Sequence, residues 1–142
     1  MSYRAVSLGI VLVAYSVVGA SAQPVTSNAP TSVDWSKSQT VEIMMTNFSF
    51  MPKALQLRRN TPYRLHFVNN GSSDHSFDAP ELFDAMMTAP DDRWKIKGGT
   101  VEVVEGKTVD VMVVPLAPGT YAFHCSHFLH ATFGMRGNAI VQ

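Results

Sequence analysis

His124-Cys125-Ser126-His127-Phe128-Leu129-His130-Ala131-Thr132-Phe133-Gly134-Met135 holds the only cysteine of the 142-residue chain. A histidine stands five positions after that cysteine, and a methionine five after that histidine. One short segment thus offers a thiolate, an imidazole and a thioether. Soft sulfur favours copper with one positive charge, and imidazole serves copper in both of its charge states. A fourth donor has to come from elsewhere. His75, in Asn69-Asn70-Gly71-Ser72-Ser73-Asp74-His75-Ser76-Phe77, is the best upstream imidazole, because His66 falls inside a strand pattern. A zinc site from Cys125, His127 and His130 has suitable ligand types, but it leaves the spacing of Met135 unexplained.

The sequence on either side reads as strands. Thr120 to Cys125 forms one strand after the Pro118-Gly119 turn, Ser126 to Gly134 forms a loop, and Met135 leads into a last strand at Gly137 to Val141. Upstream, Val41-Glu42-Ile43-Met44-Met45 starts a strand that is expected to end near Phe50, and Ala54 to Leu57 alternates. Tyr63 to Asn69 alternates with period two, placing Tyr63, Leu65, Phe67 and Asn69 on one face. Strands near Thr100 to Val104 and Val109 to Val114 are joined at Glu105-Gly106-Lys107, with Val109, Val111 and Val113 sharing a face. Short strands at this spacing, with Pro and Gly turns, predict an antiparallel all-β sandwich or barrel. Pro80 to Met87 breaks the alternation and reads as a short helix with Pro80 in its first turn, so 80–89 is an excursion from the sandwich.

The N-terminus has a different character. Arg4 is the only charged residue before Asp34, Ala5 to Val18 is an apolar run, and Ala20-Ser21-Ala22 supplies small residues at a cleavage spacing. This predicts a signal peptide over 1–22. The run is about 14 residues, short of the ~20 that a spanning helix needs, so no stable membrane insertion is expected after cleavage. Residues 23–40, rich in Ser, Thr, Pro, Asn and Ala, read as a flexible leader. Residues 41–142 form the one expected domain. Export to the periplasm, or another oxidising compartment, makes an unpaired cysteine unusual. That alone points to Cys125 as a metal ligand. The 11 basic and 11 acidic residues balance, which leaves no basic field for nucleic acid.

Gly119-Thr120-Tyr121-Ala122-Phe123-His124-Cys125, His130 and Met135-Arg136-Gly137 together resemble the C-terminal copper loop of the cupredoxin family. Asn69-Asn70-Gly71 with His75-Ser76-Phe77 is similar to that family's upstream ligand segment, and Phe50-Met51-Pro52-Lys53 with Leu55 and Leu57 resembles its early strands. The resemblance spans roughly Val41 to Gln142. It implies an eight-strand Greek-key sandwich with one type 1 copper, held by His75, Cys125, His130 and Met135. It also implies that Ser76 stands near the cysteine sulfur. Two departures stand out. Leu129 and Ala131 flank His130, where many members have proline or glycine, and His124-Cys125-Ser126-His127 resembles the copper loop of multicopper oxidases.

An oxidase needs further histidine pairs, and His66 is the only histidine left over. His124 is therefore expected to pack against the end of the sandwich, and His127 to be partly exposed. Met44, Met45, Met51, Met86 and Met87 are read as packing residues rather than a cuprous site. The expected protein is a monomeric one-electron carrier that meets redox partner proteins near His130, through Phe128, Leu129, Ala131 and Phe133. The alternative is a copper carrier or buffer using the same loop. Four protein ligands leave no open position for a substrate, so an enzyme is not expected.

Overall fold

The computed structural model describes residues 32–142. The expected signal peptide and the first half of the expected leader, 23–31, lie outside the described residues. The end of the leader stretch carries a 3-10 turn at Trp35–Lys37, capped by the Asp34 carboxylate, and the first strand begins at Gln39. Among the described residues, no helix is long and apolar enough to cross a membrane.

Among the described residues, ten strands form two five-stranded sheets. In chain order they are β1 (Gln39–Thr46), β2 (Ser49–Met51), β3 (Ala54–Leu57), β4 (Tyr63–Asn69), β5 (His75–Asp78), β6 (Met86–Thr88), β7 (Thr100–Val103), β8 (Thr108–Pro115), β9 (Gly119–His124) and β10 (Arg136–Val141). One sheet has the order β2-β1-β4-β8-β6, the other β3-β10-β9-β5-β7. This is a two-layer β-sandwich, with ten strands rather than about eight. The alternation read in β4 holds: Tyr63, Leu65, Phe67 and Asn69 are all buried. So does that of β8, where Val111 and Val113 are buried and Val109 packs on the core.

Four local expectations are corrected. The run from Val41 to Phe50 is two strands, because Asn47-Phe48 makes a tight turn that pairs Thr46 with Ser49; Asn favours such turns. The sandwich is not purely antiparallel, since β1 pairs in parallel with β4, and β3 with β10. The chain leaves β2 for the other sheet at β3, so it re-enters beside β1 running the same way. The helix α1 is short, Pro80–Asp84. Met86–Thr88 instead pairs with Val113 to Pro115 of β8, tertiary pairing overriding local pattern. The excursion also runs past residue 89, since Pro90 begins a 3-10 turn, Pro90–Lys95.

Between the sheets lies an aromatic cluster. The Phe77 ring on β5 meets Phe123 at 4.6 Å, Phe67 at 5.1 Å, Phe50 at 5.9 Å and Phe83 at 6.0 Å between centroids. Phe50 meets Phe123 edge-on at 5.2 Å. Phe77 lies two residues past His75 and Phe123 two before Cys125, on the same inward faces. The cluster therefore anchors the strand ends from which the two side chains project.

Candidate metal centre

Strand alternation delivers Cys125. Phe123 points into the core and His124 points out, so the next residue turns inward at the sandwich end, with its thiol fully buried. Among the described residues Cys125 is a free thiol. His75 starts β5 and is also fully buried. Its strand belongs to the same sheet as β9 and lies beside it, with Asp78 opposite His124. The 70–74 loop crosses between the sheets, so His75 opens a strand beside β9. Asn69 holds that loop. Its buried Nδ2 donates to the carbonyls of Val103 (2.8 Å) and Ser73 (2.9 Å), and its Oδ1 accepts from the Gly71 N–H (2.9 Å).

The loop from Ser126 to Gly134 closes on itself. The Cys125 N–H donates to the Met135 carbonyl and the Met135 N–H to the His130 carbonyl, both at 3.0 Å. Leu129 at φ 62° and Gly134 at φ 102° supply the left-handed turns. For a leucine that conformation costs on the order of 1 kcal/mol. Phe128 and Leu129 are left exposed while His130 folds back. His130 Nδ1 lies 3.4 Å from Cys125 Sγ and 3.2 Å from His75 Nδ1, and His75 Nδ1 lies 3.9 Å from the sulfur. Donor atoms of His75, Cys125 and His130 fall within 4.8 Å of one another. Met135 is fully buried at the foot of the loop.

These residues fit a copper ion. A buried thiol faces two imidazoles through their Nδ1 atoms, with a buried thioether at the end of the same loop, and this donor set suits copper. Burial holds the His75 imidazole below the usual histidine range, helped by His130 and His127 and opposed by Asp74. Burial also lowers His130, with His127 adding to it. Both shifts favour the neutral ring, the form that binds a metal. Ser76 meets its expectation: its N–H points at Cys125 Sγ from 3.4 Å, and its hydroxyl lies 3.7 Å away while accepting from the Ser126 N–H at 2.8 Å. Such donors stabilise a thiolate.

The remaining histidines stand apart. His127 is partly exposed, as expected. It stacks on His130 at 5.6 Å and its Nε2 lies 3.0 Å from Glu102 Oε2. Among the described residues the converging metal-ligating groups are His75, Cys125 and His130 without His127, so a zinc set of Cys125, His127 and His130 is not assembled. His124 is exposed on the outer face of β9 beside Arg136, not packed at the sandwich end, because alternation sends its neighbours inward. His66 pairs with Asp110 at 2.7 Å. The methionines divide between opposite edges of one sheet: Met44 faces Met51 on β1 and β2, and Met86 and Met87 lie on β6. They do not converge on a second site.

Sequence reasoning missed Asn47 and Phe48. Asn47 Oδ1 lies 3.0 Å from His75 Nε2, and the Phe48 ring sits edge-on to His130 at 4.8 Å. The turn signal of an asparagine within an apolar run was available. Its proximity to a histidine 28 positions later was not.

A β-sandwich with a His/Cys/His/Met cluster at one end, buried except for the half-buried His130, defines a protein with a type 1 copper-like centre. The chain belongs to the cupredoxin-like domain family, whose sequence pattern matches residues 9–141. Dithionite-reduced auracyanin from the photosynthetic bacterium Roseiflexus castenholzii is similar in structure, with a TM-score of 0.56 at 19% identity over 74% of this chain and 98% of that one. Auracyanin B gives 0.55 at 23% identity over 78% of this chain and 93% of its own. A multicopper oxidase gives 0.52 at 13% identity over 73% of this chain and 44% of its own. At these identities the likeness is one of fold. No curated protein sequence matches the chain.

The histidine shifts carry a pH prediction for the metal-free protein. His75 and His130 are lowered in the folded state, so below about pH 6.5 the unfolded chain binds more protons than the native one. Stability is therefore expected to be flat above that pH and to fall as pH drops below it. Urea midpoints at pH 7.5 and 5.5 measure this, and the fall should shrink in His75→Asn.

Proposed function

We propose that the protein is an exported one-electron carrier, with His75, Cys125, His130 and Met135 as ligands to one copper ion. Bound there, copper supplies a couple between one and two positive charges. The observation that carries the reading is the fixed convergence of a buried thiol and two imidazoles within 4.8 Å. Ser76, the closed loop and the aromatic cluster hold these donors in place, so little rearrangement accompanies a change of charge. His130 is the partly exposed member, and exposed Phe128, Leu129 and Phe133 surround it. That rim suits brief, low-area docking with a donor and an acceptor protein.

Electron self-exchange measured beside copper off-rate tests the proposal. Rapid exchange with slow copper loss supports it. Ready transfer of copper to a chelator, with slow exchange, favours the copper-carrier reading instead. Export is supported by the apolar N-terminal run, Ala20-Ser21-Ala22 and the lone thiol. The mass of the secreted protein tests it, with Gln23 the expected first residue.

A further inference from the structure

We propose that Asn47 is the positioning residue for His75: its side-chain carbonyl accepts a hydrogen bond from Nε2–H and so leaves Nδ1 as the lone-pair nitrogen that faces Cys125. The inference rests on the copper reading for its purpose, but its geometry stands alone. Asn47 Oδ1 lies 3.0 Å from His75 Nε2 and also accepts from the Ser72 N–H at 3.2 Å. Asn47 Nδ2 donates to Ser72 Oγ at 2.9 Å. The backbone N–H of Ser72 can only donate, so the amide atom facing it is the oxygen. That oxygen then requires a proton on His75 Nε2. A neutral imidazole carries one N–H, so Nδ1 is the acceptor. This nitrogen lies 3.2 Å from His130 Nδ1 and 3.9 Å from Cys125 Sγ.

Gly71 gives independent support. A Cβ there would stand 2.4 Å from Asn47 Oδ1 and 2.6 Å from His75 Nε2. Only a residue without a side chain leaves room for the bond. The same turn places Phe48 against His130, so one two-residue connection contacts both imidazoles.

Loss of such a partner typically weakens metal binding 10–100-fold. The tautomer is read first, without metal, from two-bond nitrogen–proton NMR of the metal-free protein. His75 is expected to be protonated on Nε2, and Asn47→Ala to mix the two tautomers. Cupric affinity is then measured by chelator competition. Asn47→Ala is expected to lose about 10–100-fold. Gly71→Ala should lose as much, whereas Asn47→Asp, which keeps the acceptor, should recover most of it. Ser72→Ala should stay near wild type, since His75 keeps its acceptor. Urea unfolding of each metal-free variant separates positioning from loss of fold. His75 protonated on Nδ1 in the wild type overturns the proposal, as does an Asn47→Ala protein with unchanged tautomer and copper affinity. If the wild type binds no copper, the copper reading fails and the tautomer measurement still decides the role of Asn47.

Discussion

Cys125→Ala is expected to abolish the intense visible absorption of the copper-loaded, oxidised protein. That absorption requires a sulfur–copper bond, and Cys125 is the chain's only thiol. Affinity for copper should fall by more than the roughly 100-fold that loss of an outer-shell partner costs. The variant should still fold. Removing one buried sulfur leaves a small cavity, at a cost of about 1 kcal/mol. The core strands on either side, β9 and β10, keep their pairing from Gly119 to His124. A folded Cys125→Ala protein that remains intensely coloured with copper would remove this sulfur from the site.

Phe77→Ala is expected to destabilise the protein by about 3–5 kcal/mol, the usual cost of truncating a buried phenylalanine. The thermal midpoint should fall on the order of 15 °C. Phe77 is fully buried and meets four other phenylalanines, Phe50 and Phe67 of the facing sheet, Phe123 of its own sheet and Phe83 of α1. The cluster is crowded on every side, so the site cannot collapse to fill the gap. Because the ring lies two residues from His75, the loss should also loosen the start of β5 and speed copper release. Phe77→Leu keeps most of the volume and should cost less than half as much. A denaturant-unfolding loss below 1 kcal/mol for Phe77→Ala would mean that this ring is not the hub of the core.

Much of the centre was legible because it is local. Cys125, His130 and Met135 lie on one loop, and their spacing alone ties thiol, imidazole and thioether together. Alternation in β4 and β8 was equally readable, since burial of one face writes a period of two into the sequence. What escaped was set by contacts between distant segments. Met86–Thr88 has an apolar run short enough to suit helix or strand, and only the free edge of β8 decides for strand. The parallel pairing of β1 with β4 depends on the chain visiting the other sheet in between. His75 was found by elimination among upstream histidines, while its sheet and its partner Asn47 required the fold. His124 was misplaced because it was assigned to packing once an oxidase role was set aside, without applying the alternation of β9, which turns it outward.

The most direct measurement is stoichiometric copper loading followed by visible and electron-resonance spectra, with alkylation of Cys125 before and after. The expected result is one copper per chain, an intense visible band, and a narrowed copper hyperfine splitting as spin spreads onto the sulfur. The thiol should become inert to alkylation once copper is bound. A folded, copper-replete sample that is pale, with its one thiol reacting as freely as in the metal-free protein, would contradict a copper–sulfur bond at this site.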